Sequence, residues 1–267
     1  MAKLFAITIV VIAILSAIPI VRHTWHQPED ISTHGQQIDE QMSETMAEAG
    51  LAFLAAQIIL AAFIWNFSNP KAGTKIRNFP GGAAAMVIAG FILVGTEVLA
   101  LGAFGAKAWA NVFLSPASAN ALPLQVQAGQ FAFYFRYPGP DKTFGPIHPE
   151  MISEANQNFF GLDQTHDQAS KDDIVTAEMA IPVNREIHLF MRSKDVGHSF
   201  FVPELRIQQD FVPGVDLSVH FTATKIGKYE IVCTQLCGLG HYNMRAVLSV
   251  LSQADYDDWL KKQAALQ

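Results

Sequence analysis

The stretch Cys233-Thr-Gln-Leu-Cys237-Gly-Leu-Gly-His241-Tyr-Asn-Met244 holds both cysteines of the chain together with an imidazole and a thioether. Thiolate, imidazole and thioether are donors that copper prefers, and the stretch has no carboxylate for a harder cation such as magnesium or calcium. Gly238 and Gly240 permit backbone angles that other residues resist, so the chain can fold around a metal here. β-Prone runs flank it at 227–232 and 245–251, which makes it a tight loop between two strands of an all-β domain.

A single-copper blue site uses one Cys, two His and a weak axial Met. The loop has two Cys but only one His, so a second His must come from elsewhere. The best candidate is His198 in Ser193-Lys-Asp-Val-Gly-His-Ser-Phe-Phe-Val-Pro203, where it opens a β-prone run after Gly197. The expected donor set is then His198, Cys233, Cys237, His241 and Met244. Two bridging thiolates can hold two coppers close together, an arrangement suited to electron transfer without bond chemistry. A Cys233–Cys237 disulfide and a Cys2His2 zinc site are the alternatives, and neither gives Met244 a role. His188 and His220 read as surface histidines. His23, His26 and His34 carry no recognisable spacing.

Strand candidates recur outward from the loop at 122–126, 130–137, 174–180, 186–192, 198–202 and 216–224. Asp216, Ser218 and His220 alternate with Leu217, Val219 and Phe221, the period of a half-buried strand. Pro and Gly between short strands suggest an antiparallel sandwich or barrel. Residues 139–175 carry seven acids against Lys142 and Lys171 and read as a long surface excursion. Ser252-Gln-Ala-Asp255 resembles a capping box that opens a terminal helix.

The 267 residues are 50% hydrophobic and only 16% charged, a balance suited to a membrane-anchored protein. Apolar segments at 4–21, 51–67 and 83–105 are each about as long as the ~20-residue helix that a bilayer requires. The first is favoured as a retained helix over a signal peptide, because its apolar run is long and no clean cleavage site follows it. Lys71, Lys75 and Arg77 in the loop 68–82 place that loop in the cytoplasm. The acidic stretch 22–48 and everything after Lys107 then lie outside. A net charge of −6 disfavours nucleic acid as a partner. No phosphate-binding glycine loop, nucleophile elbow or C-x-x-C-H haem-attachment motif is present, so no haem is expected in this chain.

The expected organisation is 1–22 as a transmembrane helix or signal peptide, 23–48 as an external acidic linker and 49–106 as a transmembrane hairpin. Residues 107–252 form the external β domain with the excursion 139–175, and 253–267 a C-terminal helix and tail.

From residue 51 to about 262 the chain resembles subunit II of the haem–copper cytochrome c oxidases, the subunit that carries the dinuclear copper centre CuA. The resemblance rests on the two-helix hairpin, the S-x-D-V-x-H-S-F-x-V-P run at 193–203, the Asp210…Pro213-Gly214 segment and the C-x-[EQ]-x-C-G-x-x-H-x-x-M loop. It implies a cupredoxin-like β-barrel on the periplasmic side of a bacterial-type cytoplasmic membrane. The implied copper ligands are His198, Cys233, Cys237, His241, Met244 and the backbone carbonyl of Gln235. It implies electrons from cytochrome c, passed to haem in subunit I for reduction of oxygen to water, beside other oxidase subunits. The aromatic through which electrons arrive would be Phe131, with Phe133 as second choice, and the acidic excursion would help dock a basic cytochrome.

Some positions depart from the family pattern. Gln235 stands where many members have a Glu that reaches magnesium, so magnesium is not expected here. The stretch 77–83 lacks the Glu found at a proton-channel mouth, and Glu97 lies inside a helix instead. Gln208 and Val215 replace residues that are often basic. The CuA subunit of a nitric oxide reductase and a membrane-tethered copper-binding protein without an oxidase partner remain as rival readings.

Overall fold

A computed structural model of the chain describes residues 1–22, 27–68 and 82–266. His23 and His26, and the basic loop with Lys71, Lys75 and Arg77, lie outside the described residues. The chain divides into two compact units, one of residues 1–27 and 37–108, the other of 28–36 and 109–267.

The first unit is helical. α1 (Ala2–Val21), α2 (Gly35–Phe67) and α3 (Gly82–Trp109) are each long and apolar enough to cross a membrane. Their large apolar side chains are mostly exposed, among them Leu4, Phe5, Phe63 and Phe91, as lipid contact requires. The hydroxyls of Thr8, Ser16 and Thr96 bond carbonyls four residues back, so these three groups are paired within their own helices. Ala6 and Ala13 of α1 and Ala61 of α2 are buried, and Lys3 stands 4.9 Å above the Trp65 ring. α2 starts well before the apolar run at Leu51, within the stretch expected as a linker, because residues 35–50 are rich in Gln, Glu, Met and Ala, all good helix formers.

The second unit is a sandwich of two five-stranded sheets. One has the order β3 (Ile174–Thr176), β2 (Ala132–Tyr137), β1 (Leu122–Gly129), β5 (Glu186–Ser193), β8 (Leu217–Thr222). The other runs β4 (Met179–Pro182), β10 (Arg245–Leu251), β9 (Gly227–Val232), β6 (His198–Val202), β7 (Ile207–Phe211). Antiparallel pairs predominate, with β1–β5 and β10–β4 parallel. Inward residues from the two sheets meet in the core, where Phe133 of one sheet faces Phe211 of the other with ring centroids 6.0 Å apart. Full burial of each such side chain contributes about 1.5–3 kcal/mol.

The single run 174–180 read from the sequence is two strands in different sheets. The Tyr137 hydroxyl marks the crossing: it accepts from Ala180 N at 2.7 Å and donates to Ala180 O at 3.0 Å. The sequence reading also missed β7, whose central Gln208-Gln209-Asp210 masks the inward Ile207 and Phe211. Ser252 caps α4 (Gln253–Ala264), accepting from Asp255 N at 3.1 Å, and Trp259 packs edge-on against Tyr137.

Two segments dock on the sandwich. Residues 28–36 form a strap along β8: Thr33 N bonds Thr222 O at 3.2 Å, Thr224 N bonds Ile31 O at 2.7 Å, and Ile31 is fully buried. The excursion 139–175 is pinned from inside. Arg136 on β2 pairs with Asp173, both fully buried, and also donates to Gly145 O at 2.8 Å and Gln125 Oε1 at 3.0 Å. Burial pushes the Asp173 carboxyl up despite the opposing pull of the Arg136 charge.

Candidate metal centre

Strand pairing builds the centre. β9 and β10 form a hairpin in which Arg245 faces Val232, so Cys233 and Met244 are the first residues beyond the ladder. Cys233 N donates to Met244 O at 3.1 Å and closes the loop at its neck. β6 lies beside β9, with Phe201 opposite Val232, which brings His198, the first residue of β6, to the same sheet end.

The donors converge on the two sulfurs. Cys233 Sγ and Cys237 Sγ are 3.8 Å apart. His198 Nδ1 is 4.0 Å and the Gln235 carbonyl 3.2 Å from Cys233 Sγ. His241 Nδ1 is 3.6 Å and Met244 Sδ 3.7 Å from Cys237 Sγ. The structure therefore brings every predicted metal-ligating residue to one place, with Gln235 represented by its carbonyl and its side chain exposed. Both cysteines are free thiols, and His198, Cys233, Cys237 and Met244 are all buried. Burial, reinforced by the neighbouring Cys233, pushes the Cys237 thiol up to about 11, so a metal must displace its proton. The donors are soft or borderline, no carboxylate oxygen is among them, and Met244 completes a sulfur-rich set. That chemistry fits copper.

Glycine is required at Gly238, whose φ of +133° is closed to L side chains and whose added Cβ would lie 2.8 Å from Gln130 Nε2. Gln130 Nε2 in turn donates to Cys237 O at 2.6 Å. A Cβ on Gly240 would stand 2.5 Å from the Phe131 ring. Phe131 thus lies over the loop and is 40% exposed, whereas Phe133 is buried in the sandwich core. The two aromatic candidates have different environments.

Two supporting residues were not recognised from the sequence. Asp195 accepts from Gln130 N, Val196 N and His198 Nε2 at 2.7–2.8 Å. Burial works against its charge, yet these three donors outweigh it and hold the carboxyl below its usual range. An ionised carboxylate only accepts, so His198 Nε2 carries the proton and Nδ1 presents its lone pair toward Cys233. The spacing Asp195-x-x-His198 was the available signal. Gln130 had none.

The acids of the excursion are largely engaged locally. Asp173 is buried with Arg136, and Glu154 pairs with Lys194. Asp163 and Asp167 cap tight turns through Thr165 N, His166 N and Ser170 N. The rim of the centre is apolar instead: Leu236, Leu239 and Tyr242 are 78%, 96% and 82% exposed.

Residues 154–251 match the family model described as cytochrome c oxidase subunit II, periplasmic domain. An alternative cytochrome c oxidase subunit 2 from Bradyrhizobium diazoefficiens is 30% identical over 243 residues, covering 90% of this chain and 84% of its own length. A cytochrome c oxidase subunit 2 from Thermostichus vulcanus is 41% identical over 93 residues, 35% of this chain and 28% of that protein. The crystal structure of the periplasmic domain of subunit II of cytochrome oxidase from Bradyrhizobium japonicum aligns with 57% of this chain and 97% of that one, at 22% identity and a TM-score of 0.41.

Proposed function

The chain belongs to the cytochrome c oxidase subunit II family, and from that premise we propose that it holds a dinuclear CuA centre, accepts electrons one at a time from cytochrome c, and passes them to haem in subunit I, where oxygen is reduced to water. The observation that carries this reading is the convergence of His198, His241, Met244 and the Gln235 carbonyl on two free thiols at 3.2–4.0 Å. As a member of its family the chain is one subunit of a haem–copper oxidase, an oxidoreductase complex. Its membrane helices anchor it, and the β unit lies outside, in this reading on the periplasmic face of a bacterial cytoplasmic membrane.

Copper bound by these residues would supply one-electron transfer with little change in bond length. The chain's own residues make that possible. Cys233 and Cys237 would hold the copper through their thiolates, and the hairpin neck between Cys233 and Met244 fixes the loop's width. Asp195 sets the tautomer and direction of His198. Burial of His198, Cys233, Cys237 and Met244 would limit the access of solvent to the metal. Phe131, exposed on one side and lying over the loop on the other, is the residue through which electrons arrive. The apolar rim of Leu236, Leu239 and Tyr242 offers docking surface. The neutral, exposed side chain of Gln235 offers a hard cation little, so no magnesium role is assigned to it.

Rapid mixing of reduced cytochrome c with the copper-loaded full chain tests the reading. Oxidation of the cytochrome in step with reduction of the copper is expected, and slower transfer with copper retained in Phe131→Ala. A copper-replete chain that accepts no electrons would overturn it.

A further inference from the structure

The turn that joins β1 to β2 has only two residues, Gln130 and Phe131, because Gly129 and Ala132 are the last partners of the ladder. It belongs to the β3-β2-β1-β5-β8 sheet, whereas the sulfur loop joins β9 to β10 in the other. Both turn residues nevertheless reach that loop. The Phe131 ring lies so close that a Cβ on Gly240 would stand 2.5 Å from it, and one on Gly238 3.1 Å. Gln130 Nε2 donates to Cys237 O at 2.6 Å.

The backbone of Gln130 makes a second bond. Its N–H donates to Asp195 Oδ2 at 2.8 Å, while the other oxygen of that carboxylate, Oδ1, accepts from His198 Nε2 at 2.8 Å. Lys194 N donates to Ala128 O at 2.9 Å and holds the Asp195 segment against the end of β1. One residue is thus tied to both sides of the donor set, to the cysteine loop by its side chain and to His198 through Asp195. The two ties are separable. Any replacement other than proline keeps the backbone N–H, and only the side-chain amide reaches Cys237 O.

We propose that Gln130 is a positioning residue of the metal centre: it locks the cysteine and histidine sides of the donor set to the aromatic turn, and by its amide on Cys237 it tunes the centre's reduction potential. The proposal rests on the copper reading above. Cys237 is the residue through which such a lock acts most widely, since its sulfur lies 3.6–3.8 Å from donor atoms of Cys233, His241 and Met244. An electron gained at the centre is stabilised by positive partial charge nearby, and the Nε2–H group of Gln130 supplies some of it. Gln130 is exposed, so replacing its side chain disturbs no core packing.

The test uses the full chain with Gln130→Met, which keeps length and loses the donor, and Gln130→Glu, which sets a carboxylate against the carbonyl. In the metal-free chain, hydrogen exchange within residues 237–244 should quicken about 3- to 10-fold in both variants, the loss of one net hydrogen bond. Circular dichroism should be unchanged. After copper loading, both variants should hold as much copper as the unaltered chain. Their reduction potential should be lower, more so in Gln130→Glu, with a shifted copper optical band. Exchange like that of the unaltered chain overturns the proposal. Quicker exchange with an unchanged potential and band also overturns it, leaving the amide a purely structural tie. An unaltered chain that takes up no copper fails the copper reading instead, and the exchange measurement still decides the lock.

Discussion

At His198 one hydrogen bond decides which ring nitrogen faces the sulfurs. The Asp195 carboxylate takes the Nε2 proton, and an amide in its place could present a donor instead. Asp195→Asn should leave the sandwich folded but weaken copper retention about 10–100-fold, read by chelator competition; unchanged retention would show that Asp195 does not orient the ligand. The thiols give a second prediction. Cys237 is protonated below about 11, and copper needs the thiolate. Apparent copper affinity should therefore fall as pH is lowered from 8 to 6, and a flat profile would mean that no thiol proton is displaced. The donors within 233–244 were legible in the sequence because spacing alone brings them together. His198 was legible through its Gly-His strand start. Asp195 and Gln130 were not legible as supports, because their partners are fixed only by folding: Gln130 bonds a carbonyl 107 residues away.

The buried Arg136–Asp173 pair is the least replaceable connection at the level of elements. It ties β2 to the end of the excursion, and Arg136 lies over the Phe144 ring at 5.1 Å. Removing one partner leaves a buried charge unpaired, so Arg136→Met should cost about 3–5 kcal/mol, and adding Asp173→Leu should restore most of it. Urea melts of the single and double variants read this out, and additive losses would contradict the pairing account. This pair also explains why the excursion looked like a free acidic loop in the sequence. Its acids serve as turn caps and a core anchor, roles set by three-dimensional neighbours and not by composition. The strands around the metal loop were legible from alternation. β7 was hidden by its polar centre, and the 174–180 run gave no sign of changing sheets.

The whole chain combines three helices able to cross a membrane with a sandwich that gathers soft donors at one sheet end. In the proposed orientation the basic loop 68–82 faces the cytoplasm and the metal loop faces the outside. Protease added to intact spheroplasts should then cut the β unit, and protection of that unit would reverse the topology. The helices were legible from hydropathy, whereas docking of the strap needed the fold. Function at this scale depends on what the donors hold. Copper analysis with electron paramagnetic resonance of the purified, copper-loaded full chain tests it most directly. Two coppers per chain sharing one unpaired electron, and loss of that signal in Cys233→Ser, are the predicted result. A single localised copper, or a chain that takes up none, would contradict the account.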